Sequence, residues 1–563
     1  MLFLLLGCEP EVGPAADSAP ASVDTGETGD SAPVETGDSV VVETGDTGVV
    51  DTADTGPDDT ETASAGWRSA LYPKDWTPAF TDADGHFLHD FSYAGYHAGE
   101  VALPSPPPGP TFSVVDQGAD PTGSADSTAA IQAAIDAASA AAPAVVDLPA
   151  GTYRVDGTLR VDTSGVVLRG AGETSTYVYF TQTAGLDYAA HLTFAGAVHE
   201  GADHLLSADT AARSTVIPLA DTSGLAVGDT VHVGWTITDD FVDDHGMTGT
   251  WVEFNGLWRA FFRRTIVAVS ATDITVDVPL RYDALTRDGA SVRVATGYLS
   301  EVGLQDLALS NANDWDTTWE TTQVHAVLFS GVQDAWVDHV SSWESPLGGG
   351  YDLMSSGIEV LDSRRVTIAD TTLAKAQHRG DGGNGYLFEV SRSNEVLTRD
   401  STGSAGRHNF IQNWDFGTSG CVWLRDTSED GRSLLASWDP IGYPSYSEYH
   451  HSLAMANLVD QSVARDGWQG VNRQDESSGA GHSVTQSVWW NTTGGGYLRS
   501  LQYGDGYVIG TDGMELHTDP TEPDWNNSGQ GTAPEDWVEG EDEAVTLEPQ
   551  SLYDDQLARR MGR

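Results

Sequence analysis

The sequence predicts an all-β solenoid, in which short strands stack coil upon coil behind one capping helix. Related words recur along the chain, namely VTIADTT from Val366, VLTRDST from Val396, 30 residues later, and VWLRDTS from Val422, a further 26 residues on. Repeats of this length are typical of solenoids. A helix-like segment and short valine-rich strands precede them, and a stretch of alternating apolar and polar residues lies in between.

The N-terminal region is predicted to carry an export signal and a linker. Residues 1–8, MLFLLLGC, are typical of a signal remnant ending in a bacterial lipobox, with Cys8 as the lipid-modified residue. Residues 9–65 repeat threonine, glycine and acidic residues without apolar periodicity, which favours a disordered linker. We therefore expect an exported lipoprotein of the outer membrane or cell surface, attached to the membrane by its lipid alone.

The composition restricts the partners. The chain has 84 acidic and 27 basic residues, a formal net charge of −57. The electrostatic field of so negative a protein repels the phosphate backbone of nucleic acid, so nucleic acid is not an expected partner. A polyanionic sugar needs local arginines or a bound cation to overcome it.

The remaining chain divides into four parts. Residues 66–110 form an N-terminal extension, and the solenoid is predicted over 111–510. Asp126 or Ser127 can cap the helix that starts it. Residues of about 202–298 alternate apolar and polar side chains around Gly-Asp turns, which predicts an inserted antiparallel β module, either one wall of a cleft or a purely structural insertion. The acidic tail over 511–563 is expected to cap the last coil or to be partly disordered.

Three sequence segments at the start of the predicted solenoid resemble segments of a known protein family. DQGADPTGSADSTAAIQAAIDAA, LPAGTYRVDGTLRV and SGVVLRGAG closely resemble the pectate-lyase-like, rhamnogalacturonase/epimerase-type family, which is related to polygalacturonases. The resemblance implies a right-handed, single-stranded parallel β-helix with an N-terminal capping helix. It says little about chemistry, because lyases, hydrolases, epimerases and phage tailspikes use this fold.

Further sequence segments resemble those of a poorly characterised bacterial subgroup of this family. They include DFSYAGYHAGE, GRHNF, YHHSLAMANLVD and NRQDESSGAGHS. Asn409 stands where the subgroup has aspartate, and Ser452 stands where it has arginine. No carboxylate or arginine role is therefore carried over to these two positions.

Histidine and arginine residues are concentrated between residues 378 and 482. Cleavage of uronate polysaccharides by β-elimination can use both residue types. β-Elimination requires that the sugar carboxylate be neutralised by arginine or a cation and that a base remove the adjacent proton. Neutral histidine suits the second task. The predicted catalytic residues are Arg407 and Arg473 as neutralisers, with His408, His450, His451 and His482 as bases or acids.

Other residues are predicted to contact substrate or calcium. The substrate-binding candidates are Asn409, Tyr449 (also a backup base), Asn472, Trp414, Trp468, His378 and Arg379. A calcium ion that bridges to an anionic sugar could be held by Asp381, Asp415 or Asp475. Structural roles compete with each assignment, because asparagines form ladders inside β-helices and arginines pair with surface acids.

His450 and His451 are adjacent, so in an extended strand they point to opposite faces. One is expected to face the groove while its neighbour packs inward on a backbone carbonyl. The sequence does not say which.

Three alternatives stay open. A hydrolase needs two carboxylates, which Asp415, Asp466, Asp475 and Glu476 could supply. The polygalacturonase motifs, however, are matched only partially, by Gly481-His482-Ser483. Zinc could use the histidines, but their spacing lacks a helical pair. A non-catalytic glycan-binding or adhesive β-helix is the third. The favoured prediction is an extracellular polysaccharide lyase acting on a uronate-containing polymer.

Overall fold

The computed structural model describes residues 66–563 except residue 381, residues 438–441 and residues 522–533. Cys8, the linker of residues 9–65 and the calcium candidate Asp381 lie outside the described residues. The helices are α1 Thr128–Ser139, α2 Asp239–Asp244, α3 Trp315–Glu320, α4 Glu476–Gly479 and α5 Leu552–Arg560, with 3-10 turns at Tyr96–Gly99, Thr286–Asp288 and Ala544–Thr546. No helix in the described parts has the length and apolar character needed to cross a membrane.

The body of the chain is a stack of parallel strands in three ladders, here called sheets 1, 2 and 3. Sheet 3 comprises Leu159–Val161, Ala190–Ala195, His325–Ser330, Ser356–Leu361, Tyr386–Ser391, His408–Asn413, Ser447–Tyr449, Trp468–Gly470, Tyr497–Ser500 and Glu515–His517. Each strand pairs in parallel with the equivalent strand of the next coil.

Sheets 1 and 2 are joined, because long strands bend from one into the other. Sheet 1 comprises Thr111–Ser113, Ala144–Leu148, Val166–Gly170, Leu299–Ser300, Gly303–Ser310, Val332–Ser342, Arg364–Ala369, Leu397–Arg399, Val422–Leu424, Leu458–Asp460, Val488–Thr493, Tyr507–Asp512 and Trp537–Glu539. Sheet 2 comprises Thr122–Asp126, Gly151–Val155, Thr176–Phe180, Thr372–Ala374, Thr402–Ser404, Thr427–Glu429 and Val463–Ala464, with the far ends of three long sheet 1 strands. A parallel pair, Ala454–Met455 with Val484–Thr485, and a hairpin, Arg432–Ser433 with Tyr443–Pro444, lie beside the sheets.

The coils differ in length, and one repeat step predicted from the sequence was wrong by one residue. Thr367 pairs with Leu397, 30 residues on, but Leu397 pairs with Val422, 25 residues on rather than 26. The corners between sheets 1 and 2 explain the offset, since Asp400 and Arg425 are the equivalent left-handed residues, with φ of 54° and 56°. The bend, rather than the repeated letters, sets the register.

The interior contains stacked aromatic rings beneath sheet 3. Phe388 stacks on Phe410 with ring centroids 4.8 Å apart, and Phe410 stacks on Trp468 at 5.7 Å. Parallel strands in register lie about 4.8 Å apart, so the rings of adjacent strands, Phe388 and Phe410, meet face to face. Phe410 reaches Trp468 across the intervening strand, where the small Ser447 stands. α1 adds Ile131, Ile135 and other apolar residues to the same core.

An antiparallel module interrupts the solenoid between its sheet 3 strands Ala190–Ala195 and His325–Ser330. Its strands are His199–Glu200, His204–Leu205, Val216–Pro218, Thr230–Thr236, Trp258–Val269, Asp273–Val276 and Ser291–Thr296. The module has its own core, in which Trp235 stacks on Phe261 with centroids 3.6 Å apart. The predicted fold class, a parallel β-helix with a capping helix and an inserted antiparallel module, is confirmed.

The first and last parts of the described chain cover the outer face of sheet 1. We call residues 67–97 and 544–560 the terminal cover. Leu71, Tyr72 and Phe91 pack with Leu552 and Tyr553 against the outward side chains of the sheet. These are Leu397, Val422, Leu424, Leu458, Val488, Trp490, Tyr507 and Ile509. The outer face of sheet 3 carries polar residues instead.

Candidate active site on the outer face of sheet 3

Outward positions of consecutive sheet 3 strands form an aligned row that is polar except at Ile411. The register places Glu359 beside Glu389, then Ile411, Glu448, Gln469 and Arg499. Neighbours in such a row lie about 4.8 Å apart, so residues far apart in sequence become chemical neighbours.

Glu448 is the centre of this row. Arg473 donates from Nη1 to both carboxylate oxygens, at 2.8 and 2.9 Å. Gln469 donates to Oε2, and Nδ1 of His450 contacts Oε1. Nε2 of His408 lies 3.2 Å from Oε1. A carboxylate that is 1% exposed is thus surrounded by donors and imidazoles.

The contact between Glu448 and His450 favours one tautomer of the histidine. An ionised carboxylate can only accept, so this contact calls for a hydrogen on Nδ1 of His450, whereas Nη1 of Arg473, which can only donate, also lies 2.9 Å from Nδ1. In the tautomer set by Glu448, Nδ1 donates to Oε1. Nε2 then holds the lone pair, and it has no hydrogen-bond partner among the described residues. This is the arrangement by which a carboxylate orients a histidine base.

The charges of this pair follow from their surroundings. Burial alone favours protonated Glu448, but Arg473 and the two imidazoles outweigh it and hold the pKa of Glu448 well below its usual range. Burial and the Arg473 guanidinium hold the pKa of His450 well below its usual range, with Glu448 opposing them. An anionic carboxylate and a neutral imidazole therefore face each other at neutral pH.

His408 and Tyr386 complete the cluster. Nδ1 of His408 donates to the Tyr446 carbonyl at 2.6 Å, and burial lowers the pKa of His408 to about 4. The ring of Tyr386 lies 5.3 Å from that of His408 and 6.2 Å from that of His450. Burial raises the pKa of Tyr386, so its phenol stays protonated and can donate.

A metal ion is poorly matched to this cluster. Ligand atoms of His408, Glu448 and His450 lie within 4.8 Å of one another, which is close enough for coordination. Arg473, however, already places a positive charge on both oxygens of Glu448. A cation there would face the guanidinium at short range.

A second titratable cluster lies further along the same face. His325 donates to Glu389 at 2.9 Å, and Glu359 lies 3.7 Å from the same imidazole nitrogen. Burial alone would lower the pKa of His325, but the two carboxylates raise it to about 8. Asn413 donates to Glu389 at 2.8 Å. The polar row therefore continues beyond Glu448 on this side.

Arg407 directly precedes His408 at the start of the sheet 3 strand His408–Asn413. It is half-buried, and its Nη1 donates to the Gly380 carbonyl at 2.8 Å. Its positive charge contributes to the low pKa of His408. Arg407 therefore borders the cluster, whereas Arg473 enters it.

Two predicted substrate-binding residues face the interior instead. Tyr449 and Trp468 are each 1% exposed and belong to the solenoid core, where Tyr449 packs against Trp423 and Trp489. Strand alternation explains this, because Glu448 and Gln469 take the outward positions. Neither ring can stack on a sugar.

Other candidates have structural surroundings. Asn409 donates to Asp466 and to the Glu429 carbonyl inside a corner, at 2.8 and 2.9 Å. Asn472 accepts from the backbone of Gln474 in a turn. His482 packs on Tyr503, with centroids 4.8 Å apart, and contributes no atom to the Glu448 cluster.

His451 turns away from its neighbour. Nε2 donates to the Ser477 carbonyl at 2.6 Å, and the ring lies 4.3 Å from that of Trp414. Burial lowers the pKa of His451 to about 4. Of the adjacent pair, His450 contacts Glu448, and His451 anchors a turn.

The remaining candidates are dispersed. His378 stacks on Trp319 at 4.2 Å, and half-buried Arg379 approaches the Ala405 carbonyl at 3.5 Å. Asp415 pairs with Arg259 at 2.6 Å, and Asp475 accepts from Thr250 at 3.1 Å. Neither aspartate belongs to a metal-sized cluster in the described chain, so these two do not form a shared calcium site.

Three members of the cluster were missed from the sequence: Glu448, Gln469 and Tyr386. Glu448 precedes His450 by two positions, so alternation alone places both on one face. Gln469 and Tyr386 come from neighbouring coils and required the register.

Comparisons with known proteins agree with this architecture. Residues 111–208 match the family described as rhamnogalacturonase A/epimerase, pectate lyase-like, which supports the resemblance predicted from the sequence of that segment. Mannuronan C5-epimerase AlgE3 of Azotobacter vinelandii is 50% identical over 74 residues, a segment that spans 12% of this chain and only 4% of the epimerase.

Two solved structures resemble the chain at low identity and low TM-score. The gp54 tailspike of Acinetobacter baumannii phage AP22, solved with a capsular saccharide, has 12% identity and a TM-score of 0.45, covering 83% of this chain and 72% of the tailspike. The A-module of A. vinelandii mannuronan C5-epimerase AlgE4 has 14% identity and a TM-score of 0.27, covering 76% and 95%.

Proposed function

We propose that this pectate-lyase-like β-helix protein cleaves an acidic, uronate-containing polysaccharide by β-elimination on the outer face of sheet 3. The observation that carries the proposal is the Glu448–His450 pair. A buried anionic carboxylate holds Nδ1–H of a neutral imidazole and leaves Nε2 as a base.

The reaction can be written with these residues. Nε2 of His450 takes the C5 proton of the uronate, the C–H electrons form a double bond between C4 and C5, and the glycosidic C4–O bond breaks. The departing oxygen needs a proton, and the Tyr386 phenol is placed beside both histidines to donate it. The proton on His450 is stabilised by Glu448 until solvent removes it, and solvent returns a proton to the Tyr386 phenolate, so both groups are restored.

Arg473 is suited to neutralise the sugar carboxylate. Its Nη1 is bonded to Glu448, while the contacts of its Nη2 within the described chain are long, 3.3 Å to Ser477 and 3.4 Å to Glu476. A bound carboxylate can replace those long contacts with a short charge-assisted bond. Arg407 adjoins His408 at the edge of the same cluster.

Calcium and location form part of the proposal. A calcium ion bridging enzyme and uronate would add positive charge on a strongly acidic surface. Export as a lipoprotein through Cys8 would bring the enzyme to extracellular polysaccharide.

Epimerisation at C5 is the second candidate. The short match to a mannuronan C5-epimerase favours it, and inversion at C5 begins with the same proton abstraction. The two outcomes differ in whether the C4–O bond breaks or C5 is reprotonated.

The test is to incubate the full chain with a panel of uronate polysaccharides, with calcium or a chelator, in deuterated buffer. β-Elimination predicts rising ultraviolet absorbance from unsaturated uronate ends. Deuterium at C5 without cleavage would assign epimerisation, and new reducing ends without absorbance would assign hydrolysis. Binding without any of these products would assign a non-catalytic glycan-binding protein.

A further inference from the structure

A cavity of about 670 Å³ lies between the antiparallel module and the β-helix, beside the Glu448 cluster and separate from it. The module contributes Trp258 and Arg293, and the β-helix contributes Arg392 and Trp414. None of the residues predicted to be catalytic lines it. Its size is that of a site for a small organic ligand.

Arginines are concentrated in this cavity. Four line it, Arg259, Arg263, Arg293 and Arg392, against three carboxylates, Glu200, Asp362 and Asp415. In a chain of net charge −57, a lining with as many arginines as this departs from the overall acidity, although Asp203 also pairs with Arg293 at 2.6 Å from outside the lining. The lining makes the cavity a place where an anion can be held against the overall field.

The arginines are held in position and still reachable. Arg259 pairs with Asp415 at 2.6 Å, and Arg392 pairs with Asp362 at 2.8 Å. Their side chains keep 25% and 27% exposure. A guanidinium fixed on one edge by a carboxylate presents its other N–H donors to a second oxyanion without losing further side-chain entropy.

Two tryptophans supply flat apolar surface beside these donors. Trp414 is 39% exposed, more than any other tryptophan that the structure describes. Its φ of 35°, followed by a φ of 75° at Asp415, places two consecutive non-glycine residues in the left-handed region. This backbone is costly, and the surrounding structure maintains it. Trp258 is held beneath the Arg293 guanidinium, 3.7 Å from its ring centroid.

We propose that this cavity binds an acidic sugar residue of the polysaccharide, with arginines on its carboxylate and tryptophan on its ring. Trp414 also contacts His451, whose ring lies 6.0 Å from that of His450, so the cavity adjoins the proposed catalytic base. The inference rests on the proposed function for the identity of the sugar. The module then selects substrate, and sheet 3 performs the chemistry.

Binding can be measured apart from catalysis. Isothermal titration uses the full chain carrying His450→Gln, with an oligogalacturonate as probe and the matching neutral galactose oligomer for comparison. Adding Trp258→Ala or Arg392→Gln should weaken oligogalacturonate binding at least tenfold. Trp343→Ala, which removes a half-buried tryptophan that packs on Tyr177, is the matched control and should leave the affinity unchanged.

The outcomes separate the two proposals. Equal affinity in all variants, or equal binding of charged and neutral oligomers, would overturn the cavity assignment, even if elimination is observed. Loss of binding in both cavity variants supports it, even if the native enzyme eliminates nothing and the proposed function fails. Thermal unfolding of each variant checks the fold, and Arg392→Gln keeps the test valid if Trp258→Ala does not fold.

Discussion

The outer faces of sheets 1 and 3 are built on the same coils, yet they carry opposite chemistry. Outward residues of sheet 1, such as Leu458 and Trp490, are apolar and lie beneath the terminal cover. Outward residues of sheet 3, such as Glu389 and Glu448, are ionisable and hydrogen-bonded. The backbone ladder needs only the inward side chains for its core, so outward positions are free to become either a docking surface or a chemical site.

The largest expected effect comes from removing the base on sheet 3. His450→Gln should lower kcat for elimination by roughly 10²- to 10⁴-fold, the contribution typical of a general base. The rate is followed by ultraviolet absorbance of the unsaturated product, with folding checked by thermal unfolding.

The matched control lies in the terminal cover. His89 is buried, hydrogen-bonded to Gln486 at 2.8 Å, and its pKa is lowered to about 3 by burial. His89→Gln should leave kcat of the folded protein unchanged. An equal loss of rate in both variants would contradict the assignment of His450.

A core substitution on sheet 1 should affect stability alone. Trp490 is fully buried against Tyr72, with ring centroids 5.8 Å apart. Trp490→Ala should lower the free energy of unfolding by about 3–5 kcal/mol, measured by urea denaturation. Rates per folded molecule should stay at the native value, and a large fall in kcat would show that the two faces are coupled.

The contributions of the sheet 1 and sheet 3 faces to the free energy of unfolding should change with pH in opposite directions. Burial raises the pKa of Asp460, beneath α5, from 3.8 to about 7. The folded state therefore binds this proton more tightly, and its stabilisation, up to about 4 kcal/mol, is lost as pH rises from about 4 to 7. The pKa of His408 is lowered to about 4, so its contribution is lost as pH falls from about 6.5 towards 4.

Asp460→Asn isolates the sheet 1 contribution. The loss of stability with rising pH should become smaller in this variant, as measured by urea denaturation across pH 4 to 8. An unchanged slope would mean that Asp460 is ionised in the folded protein.

The smallest effect sharpens the role of Glu448 as a positioning residue. Its charge raises the pKa of His450, so Glu448→Gln should keep His450 neutral to lower pH. The acidic limb of the kcat/KM profile should move down by about one pH unit or more. A lower rate with an unmoved acidic limb would indicate a purely structural role.

The fold was more predictable than the site, because the two depend on different information. Repeats and the alternation in the module are local patterns, and they were enough for the fold class. The site depends on coil register, and Glu448 meets Gln469 and Arg473 only after corners and loops of unequal length. Trp468 was placed on the wrong face for the same reason, since its neighbour Gln469 occupies the outward position.

The terminal cover has a consequence for biogenesis. The Tyr553 hydroxyl donates to the Ala94 carbonyl, 459 residues away, and Ser551 and Tyr553 cap Asp460 on sheet 1. A nascent chain that has completed its coils still exposes the apolar outer face of sheet 1 until α5 has been translated. In that interval this face can aggregate or bind chaperones. Deleting residues 552–560 should therefore leave the coils assembled but increase the fraction of the product that is retained by chaperones or precipitates.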